Sequence, residues 1–143
     1  MQPTEIKLAE NAKILIVEDD SDQRRLLVKI VQEAFDCEIL EAEDGLEALM
    51  IIMQGKQVPN LILLDLMMPR LPGVEFLTIA QGRPEFDHVP VIVCTVLAET
   101  KEIRGKIGNH IHSYLVKPIN REKLVVKLLA ALDDIVVRVD YQS

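Results

Sequence analysis

Basic charge is in deficit. Sixteen Lys and Arg stand against twenty-three Asp and Glu, a net charge of −7 at pH 7 in 143 residues. No run of basic residues offsets that balance locally. This argues against non-specific binding to nucleic acid or an anionic membrane, because both need clustered Lys or Arg. Long apolar runs are also missing, and no stretch approaches the roughly 20 residues that span a bilayer. Met1 to Asn11 mixes Glu5, Lys7 and Glu10 with apolar residues, so neither a secretory core nor membrane insertion is expected. Cysteine is scarce. Cys37 and Cys94 lie in apolar segments and read as reduced, buried thiols, which points to a cytoplasmic protein without a disulfide framework. A Gly-rich phosphate loop is absent, so a bound nucleotide is not indicated.

What is present is enough for one domain over 1–143, with a core of about 13–132, an N-terminal arm 1–12 and a C-terminal extension 133–143. A chain of roughly 150 residues buries about 70% of its unfolded surface and needs no metal or disulfide to hold a core.

Lys13 to Val17 is a short apolar run ending in acids, read as a buried strand. Ser21 can cap a helix that carries Leu26, Leu27, Ile30, Val31 and Ala34 on one face. Glu38 to Ala42 is a second strand, and Asp44 caps a helix bearing Leu46, Leu49, Met50 and Met53 that ends near Gly55. Leu61 to Leu64 is a third strand, followed by a Pro-rich loop and a helix from Val74 to Ala80. Val91 to Thr95 is a fourth strand. Glu99 to Ile107 is a helix weakened by Gly105, with Gly108 just beyond it. Ser113 to Val116 is a fifth strand, and Asn120 caps a last helix with Leu124, Val125, Leu128, Leu129 and Leu132 inward. Strand and helix alternate five times, and the strands are continuously apolar. That predicts an α/β fold, a doubly wound five-stranded parallel sheet of flavodoxin-like (βα)5 type, order 2-1-3-4-5.

In such a sheet, ligands bind beyond the carboxyl ends of the strands. The first strand ends at Glu18-Asp19-Asp20, the third at Asp65, the fourth at Thr95 and the fifth at Lys117-Pro118. Crowded carboxylates repel one another, and a hard divalent cation relieves that cost. Lysine and a hydroxyl add donors for phosphoryl oxygens. An aspartate presented to such a metal can attack phosphorus and become an acyl phosphate.

Together, Ile14 to Asp20, Asp65-Leu66-Met67-Met68-Pro69, Thr95 and Lys117-Pro118 resemble the receiver domain of two-component response regulators, of the chemotaxis-regulator type. The spacings agree, at thirty residues from Asp65 to Thr95 and twenty-two from Thr95 to Lys117. The resemblance implies that Asp65 is the phosphoacceptor. It implies Mg²⁺ (or Mn²⁺) held directly by Asp19, usually through water by Glu18, and by Asp65 and the backbone carbonyl of Met67. Thr95 matches the switch hydroxyl, Lys117 the lysine that pairs with it, and Tyr114 the aromatic switch position. Pro118 follows in what is usually a cis peptide, and Asp20 reads as helix-initiating. The implied partners are a sensor histidine kinase or a histidine phosphotransfer protein, and a downstream protein that reads the face of the fourth helix, fifth strand and fifth helix. A homodimer through that face is a further option. The implied activity is a switch, not an enzyme beyond weak self-phosphorylation and self-dephosphorylation.

Two rivals remain at this stage. An Asp-nucleophile phosphatase of the haloacid-dehalogenase type usually carries a second acid two residues on, where this chain has Met67. A phosphorylation-independent module of the same fold draws support from Val96, which stands where the family usually has a smaller residue. His110 and His112 form a pair without an evident third ligand and read, like His88, as loop. The segment from Ile135 to Tyr141 is open between an edge strand, a docking arm and a stub. Met67 and Leu97 occupy the two variable positions that flank the phosphoryl group, and both are apolar. Slow self-dephosphorylation follows, and Met67→Asn with Leu97→Glu is expected to speed decay of the phosphorylated protein; an unchanged or slower decay would contradict it.

Overall fold

The computed structural model describes residues 6–8, 11–55, 58–108 and 110–138. The five apolar runs are strands with the predicted bounds: β2 (Lys13–Val17), β3 (Glu38–Ala42), β4 (Leu61–Leu64), β5 (Val91–Thr95) and β6 (Ser113–Val116). All pair in parallel, in the order β3-β2-β4-β5-β6. Counted within this sheet, that is the expected 2-1-3-4-5. Side chains alternate across a strand, so each run feeds two cores. Leu15, Val17, Ile62, Leu64, Val91 and Val93 face α2 (Gly45–Gly55), α3 (Gly73–Gln81) and α4 (Lys101–Ile107). Ile14, Ile16, Leu61, Leu63, Ile92 and Cys94 face α1 (Ser21–Ala34) and α5 (Arg121–Ala131). A sheet covered on both faces has no use for polar alternation, which is why the central strands β4 and β5 are buried along their whole length; the edge strand β3 carries Glu38 and Glu41 exposed.

Several local expectations change. Asp20, not Ser21, caps α1: its backbone is extended and its carboxylate accepts from the Gln23 amide at 2.9 Å. Leu26 is half exposed, off the buried row Leu27, Ile30 and Val31. In α2 the expected row is mostly turned outward. Leu46, Met50 and Met53 are exposed, while Ala48, Leu49 and Ile52 are buried. Close approach decides this rotation: a Cβ on Gly45 would stand 2.5 Å from the Leu71 carbonyl oxygen, so the small residues Gly45 and Ala48 must face inward. The fourth helix begins at Lys101, not Glu99, because the Thr100 hydroxyl caps it by accepting from the Ile103 amide at 3.2 Å. In α5, Leu124 and Leu128 are buried as expected, and Asn120 accepts from the Lys123 amide.

Near the ends of the described chain the edge-strand alternative is the one met, together with a strand at 6–8 that was not expected. β1 (Ile6–Leu8) pairs antiparallel with β7 (Val136–Arg138), apart from the main sheet. Leu8 is buried in the α1–α5 core, and Ile135 and Val136 pack against it. The extension is thus a strand through Arg138; the reading of residues 139–141 lies outside the described residues. Cys94 is buried and Cys37 half-buried, both free; burial pushes their thiols up to about 12 and about 11. No helix among the described residues is long and apolar enough to cross a membrane. His88, His110 and His112 are exposed and outside the strands, as expected.

Phe76 is fully buried between α3 and the sheet, so Phe76→Ala should cost about 3–5 kcal/mol. Met53→Ala, on the exposed side of α2, should stay within about 0.5 kcal/mol. Urea unfolding of the two variants checks both; a large loss for Met53→Ala would contradict the observed rotation of α2.

Candidate functional site

Parallel strands that end together deliver their following residues to one edge. Main-chain ladders continue one residue past β2 and β4: the Glu18 amide donates to the Ala42 carbonyl at 3.0 Å and the Asp65 amide to the Val17 carbonyl at 3.1 Å. Glu18 and Asp65 are therefore fixed side by side. Carboxylate oxygens of Glu18, Asp19 and Asp65 lie within 4.8 Å of one another. Glu18 and Asp65 are buried, whereas Asp19 is exposed.

Lys117 enters from the end of β6. Its amide donates to the Thr95 carbonyl at 2.7 Å, and the Lys117–Pro118 peptide is cis, as expected. Its ammonium donates to Asp65 Oδ2 at 2.8 Å and to Glu18 Oε1. Burial disfavours that charge, yet Asp65 and Glu18 outweigh it and hold the Lys117 ammonium above the ordinary lysine range. Glu18 moves the other way. Burial dominates, with Asp19 and Asp65 adding to it against Lys117, and pushes its carboxyl up to about 7. One ammonium does not neutralise three acids, so a cation suits this donor set of closely spaced oxygens.

The loop after Asp65 is built against the site. The Met67 amide donates to Asp65 Oδ1 at 3.0 Å, while the Met67 side chain is half exposed. The Gly73 amide closes this loop on the Leu66 carbonyl at 3.1 Å. A Cβ on Gly73 would stand 2.4 Å from the Asp65 carbonyl oxygen, so α3 can start there only from glycine.

Thr95 is fully buried at the end of β5. Its hydroxyl accepts from the Leu97 amide at 3.4 Å, and the Tyr114 hydroxyl donates to the Leu97 carbonyl at 2.8 Å. Leu97 thus joins the two predicted switch positions. Tyr114 is half-buried, and burial, with Glu99 and Asp65 nearby, raises its phenol. Val96 is exposed and lines a cleft of about 340 Å³ with Leu26, Pro118 and Ile119 beside Lys117.

Two contributors, Arg24 and Arg70, were not singled out from sequence, and Gly73 was read only as a loop marker. Arg24 donates to the Glu18 carbonyl at 2.8 Å and to Glu41 at 3.2 Å, bracing the acid-bearing turn from α1. Gly73 has its contact role above. Arg70 pairs with buried Asp44 at 2.6 Å. Asp44 carried a signal in sequence as a helix cap; the roles of Arg24 and Arg70 depend on which loops meet.

The comparisons agree with this geometry. The response regulator receiver domain family matches residues 14–129. The chemotaxis protein CheY-3 of Vibrio cholerae is 32% identical over 121 residues, covering 85% of this chain and 92% of that protein. The response regulator Rcp1 of Synechocystis is 32% identical over 117 residues, covering 78% of this chain and 80% of that protein. Among solved structures, Vibrio cholerae CheY4 superposes with a TM-score of 0.75 at 29% identity, over 85% of this chain and 99% of that one. The Mn²⁺-bound form of Rcp1 superposes with a TM-score of 0.71 at 29% identity, over 87% and 96%. Domains of this kind are signalling switches that take phosphate from histidine kinases or phosphotransfer proteins and bind divalent metal. A family match from Ile14 to Leu129, with relatives at 32% identity along most of the chain, carries one conclusion: the chain belongs to the response regulator receiver domains.

Proposed function

We propose that this chain is a phosphoacceptor switch in which Asp65 takes the phosphoryl group from a histidine kinase or a histidine phosphotransfer protein in the cytoplasm. The observation that carries this reading is the packing of Glu18, Asp19 and Asp65 within 4.8 Å, with Lys117 bonded to two of them. Glu18, Asp19, Asp65 and the Met67 carbonyl would hold Mg²⁺, or Mn²⁺. When bound, such a cation offsets the charge that gathers on the transferring phosphoryl oxygens.

The rest is done by the chain's own groups. An Asp65 carboxylate oxygen forms a bond to phosphorus as the donor's phosphorus–nitrogen bond breaks, leaving that electron pair on the imidazole nitrogen. The Lys117 ammonium, already 2.8 Å from Asp65 Oδ2, is free to follow the new negative charge. Thr95 and Lys117 then bond the phosphoryl oxygens. Movement of the Thr95 hydroxyl releases its bond to the Leu97 amide, and the Tyr114 bond to the Leu97 carbonyl carries that change toward β6. The readout surface is α4, β6 and α5, where Val116 and Val126 are exposed apolar residues suited to a downstream protein or a second copy.

Two outcomes check this reading. Intact mass after incubation with acetyl phosphate and Mg²⁺ should gain one phosphoryl group, lost in Asp65→Ala and lost without metal. A folded wild type that gains nothing from several donors would favour the phosphorylation-independent reading. The second outcome concerns pH. Below its pKa of about 7, Glu18 is protonated, and a metal must displace that proton to bind. Mg²⁺ affinity should therefore fall about tenfold from about pH 8 to about pH 6. Calorimetric titration at both values reads this directly, and equal affinities would exclude Glu18 as a titrating ligand.

A further inference from the structure

The geometry points to Arg70 as a positioning residue for the Asp65 site, acting through a latch on Asp44; this rests on the metal-dependent phosphoacceptor reading above. Arg70 lies in the loop that runs from Asp65 to Gly73, closed at its base by the Leu66–Gly73 bond. Its backbone is left-handed, with φ 65°. That region is costly for a residue with a Cβ and persists only where the surroundings enforce it. Here the enforcement is visible. The Arg70 Nε donates to Asp44 Oδ2 at 2.6 Å, and the Asp44 side chain is only 4% exposed although Arg70 is half exposed.

Asp44 is itself held. Its other oxygen accepts from the Glu47 amide at 2.8 Å and caps α2. Burial opposes ionisation of Asp44, but the Glu47 amide and the Arg70 guanidinium outweigh it and keep the carboxyl below its ordinary range. The charged pair is therefore the resting state at neutral pH. A second tie runs beside it, from the Gly45 amide to the Leu71 carbonyl at 3.2 Å. The far end of the Asp65 loop is thus fastened to the start of α2, on the opposite side from Lys117.

Met67 lies in the chain between the Leu66–Gly73 closure and the Arg70 latch. Its amide already bonds Asp65 Oδ1, and its carbonyl is the fourth donor in the proposed metal set. An Arg70 latch that fixes the main chain three residues away fixes that carbonyl without touching the metal. Partners one shell removed from a ligand commonly change metal affinity by about 10-fold or more. The α2 cap uses only Asp44 Oδ1, so Oδ2 is left for the Arg70 latch.

Three variants of the full chain separate positioning from stability. Arg70→Gly removes the latch and relieves the left-handed strain but leaves buried Asp44 without its cation, so its unfolding midpoint should fall, and less so in Asp44→Asn, which removes the buried charge. Asp44→Asn keeps the cap and removes the charge on the acceptor. Arg70→Lys retains a cation and should restore part of the effect. Mn²⁺ binding, read by electron paramagnetic resonance of the free ion, should weaken about tenfold in Arg70→Gly and Asp44→Asn. Amide exchange at Met67 should quicken in both. With acetyl phosphate, the loss should appear in the metal concentration needed and not in the plateau rate. Affinities within about twofold of wild type in both variants, with Met67 exchange unchanged, would overturn the proposal. A wild type that binds no Mn²⁺ would instead overturn the phosphoacceptor reading on which it stands.

Discussion

Glu18 and Asp65 are buried side by side at the ends of adjacent parallel strands, and Lys117 is the one cation bonded to both among the described residues. Burial of like charges is expensive. The surrounding structure is arranged to impose it. Strand pairing places the two acids, since the β2–β3 and β2–β4 ladders end at the residues that carry them. The cis Lys117–Pro118 peptide lies where β6 ends, and the ammonium reaches across to them. The outcome is a site with surplus negative charge and one counter-charge shared between two acids. That imbalance suits a divalent cation on electrostatic grounds.

On the proposed reading, coupling out of the site runs through an element that is only lightly held. The segment from Val96 to Thr100 fits, with Leu97 bonded at its amide by Thr95 and at its carbonyl by Tyr114. Ile107 is the one fully buried residue of α4, a helix of two turns, and a Cβ on Gly105 would meet nothing within 4 Å. Few buried contacts mean low local stability, the property that lets a segment respond to a small change in bonding. On the opposite wall, Arg70, Asp44 and the closed loop after Asp65 are tightly bonded. The site thus has one densely bonded side and one sparsely buried side. The β1–β7 ladder lies apart from the main sheet and closes the α1–α5 core around Leu8.

Much of this was legible in advance. The bounds of all five sheet strands, their order and the meeting of Glu18, Asp19, Asp65 and Lys117 follow from apolar runs whose ends carry the chemistry. Buried parallel strands leave a strong signal, and a strand end is a fixed address. The caps at Asp44 and Asn120 were legible because a side-chain oxygen before a helix has a local purpose. Helix faces were less so. Leu46, Met50 and Met53 satisfy the period of an inward row, yet they face solvent, because Gly45 and Ala48 allow the closer approach.

The sequence by itself determined the fold class, the register of chemistry along the strand ends and the family to which the chain belongs. These depend on periodicity and on residues whose positions are set by local hydrogen bonding. Only the tertiary structure decided the rotation of α2, the pairing of the two termini and the bracing by Arg24, Gly73 and Arg70. Each of these depends on which distant segment comes within contact distance. Arg24, Glu41 and Arg70 are unremarkable in the linear chain; they acquire a role when packing brings Arg24 to Glu41 at 3.2 Å and Arg70 to Asp44 at 2.6 Å.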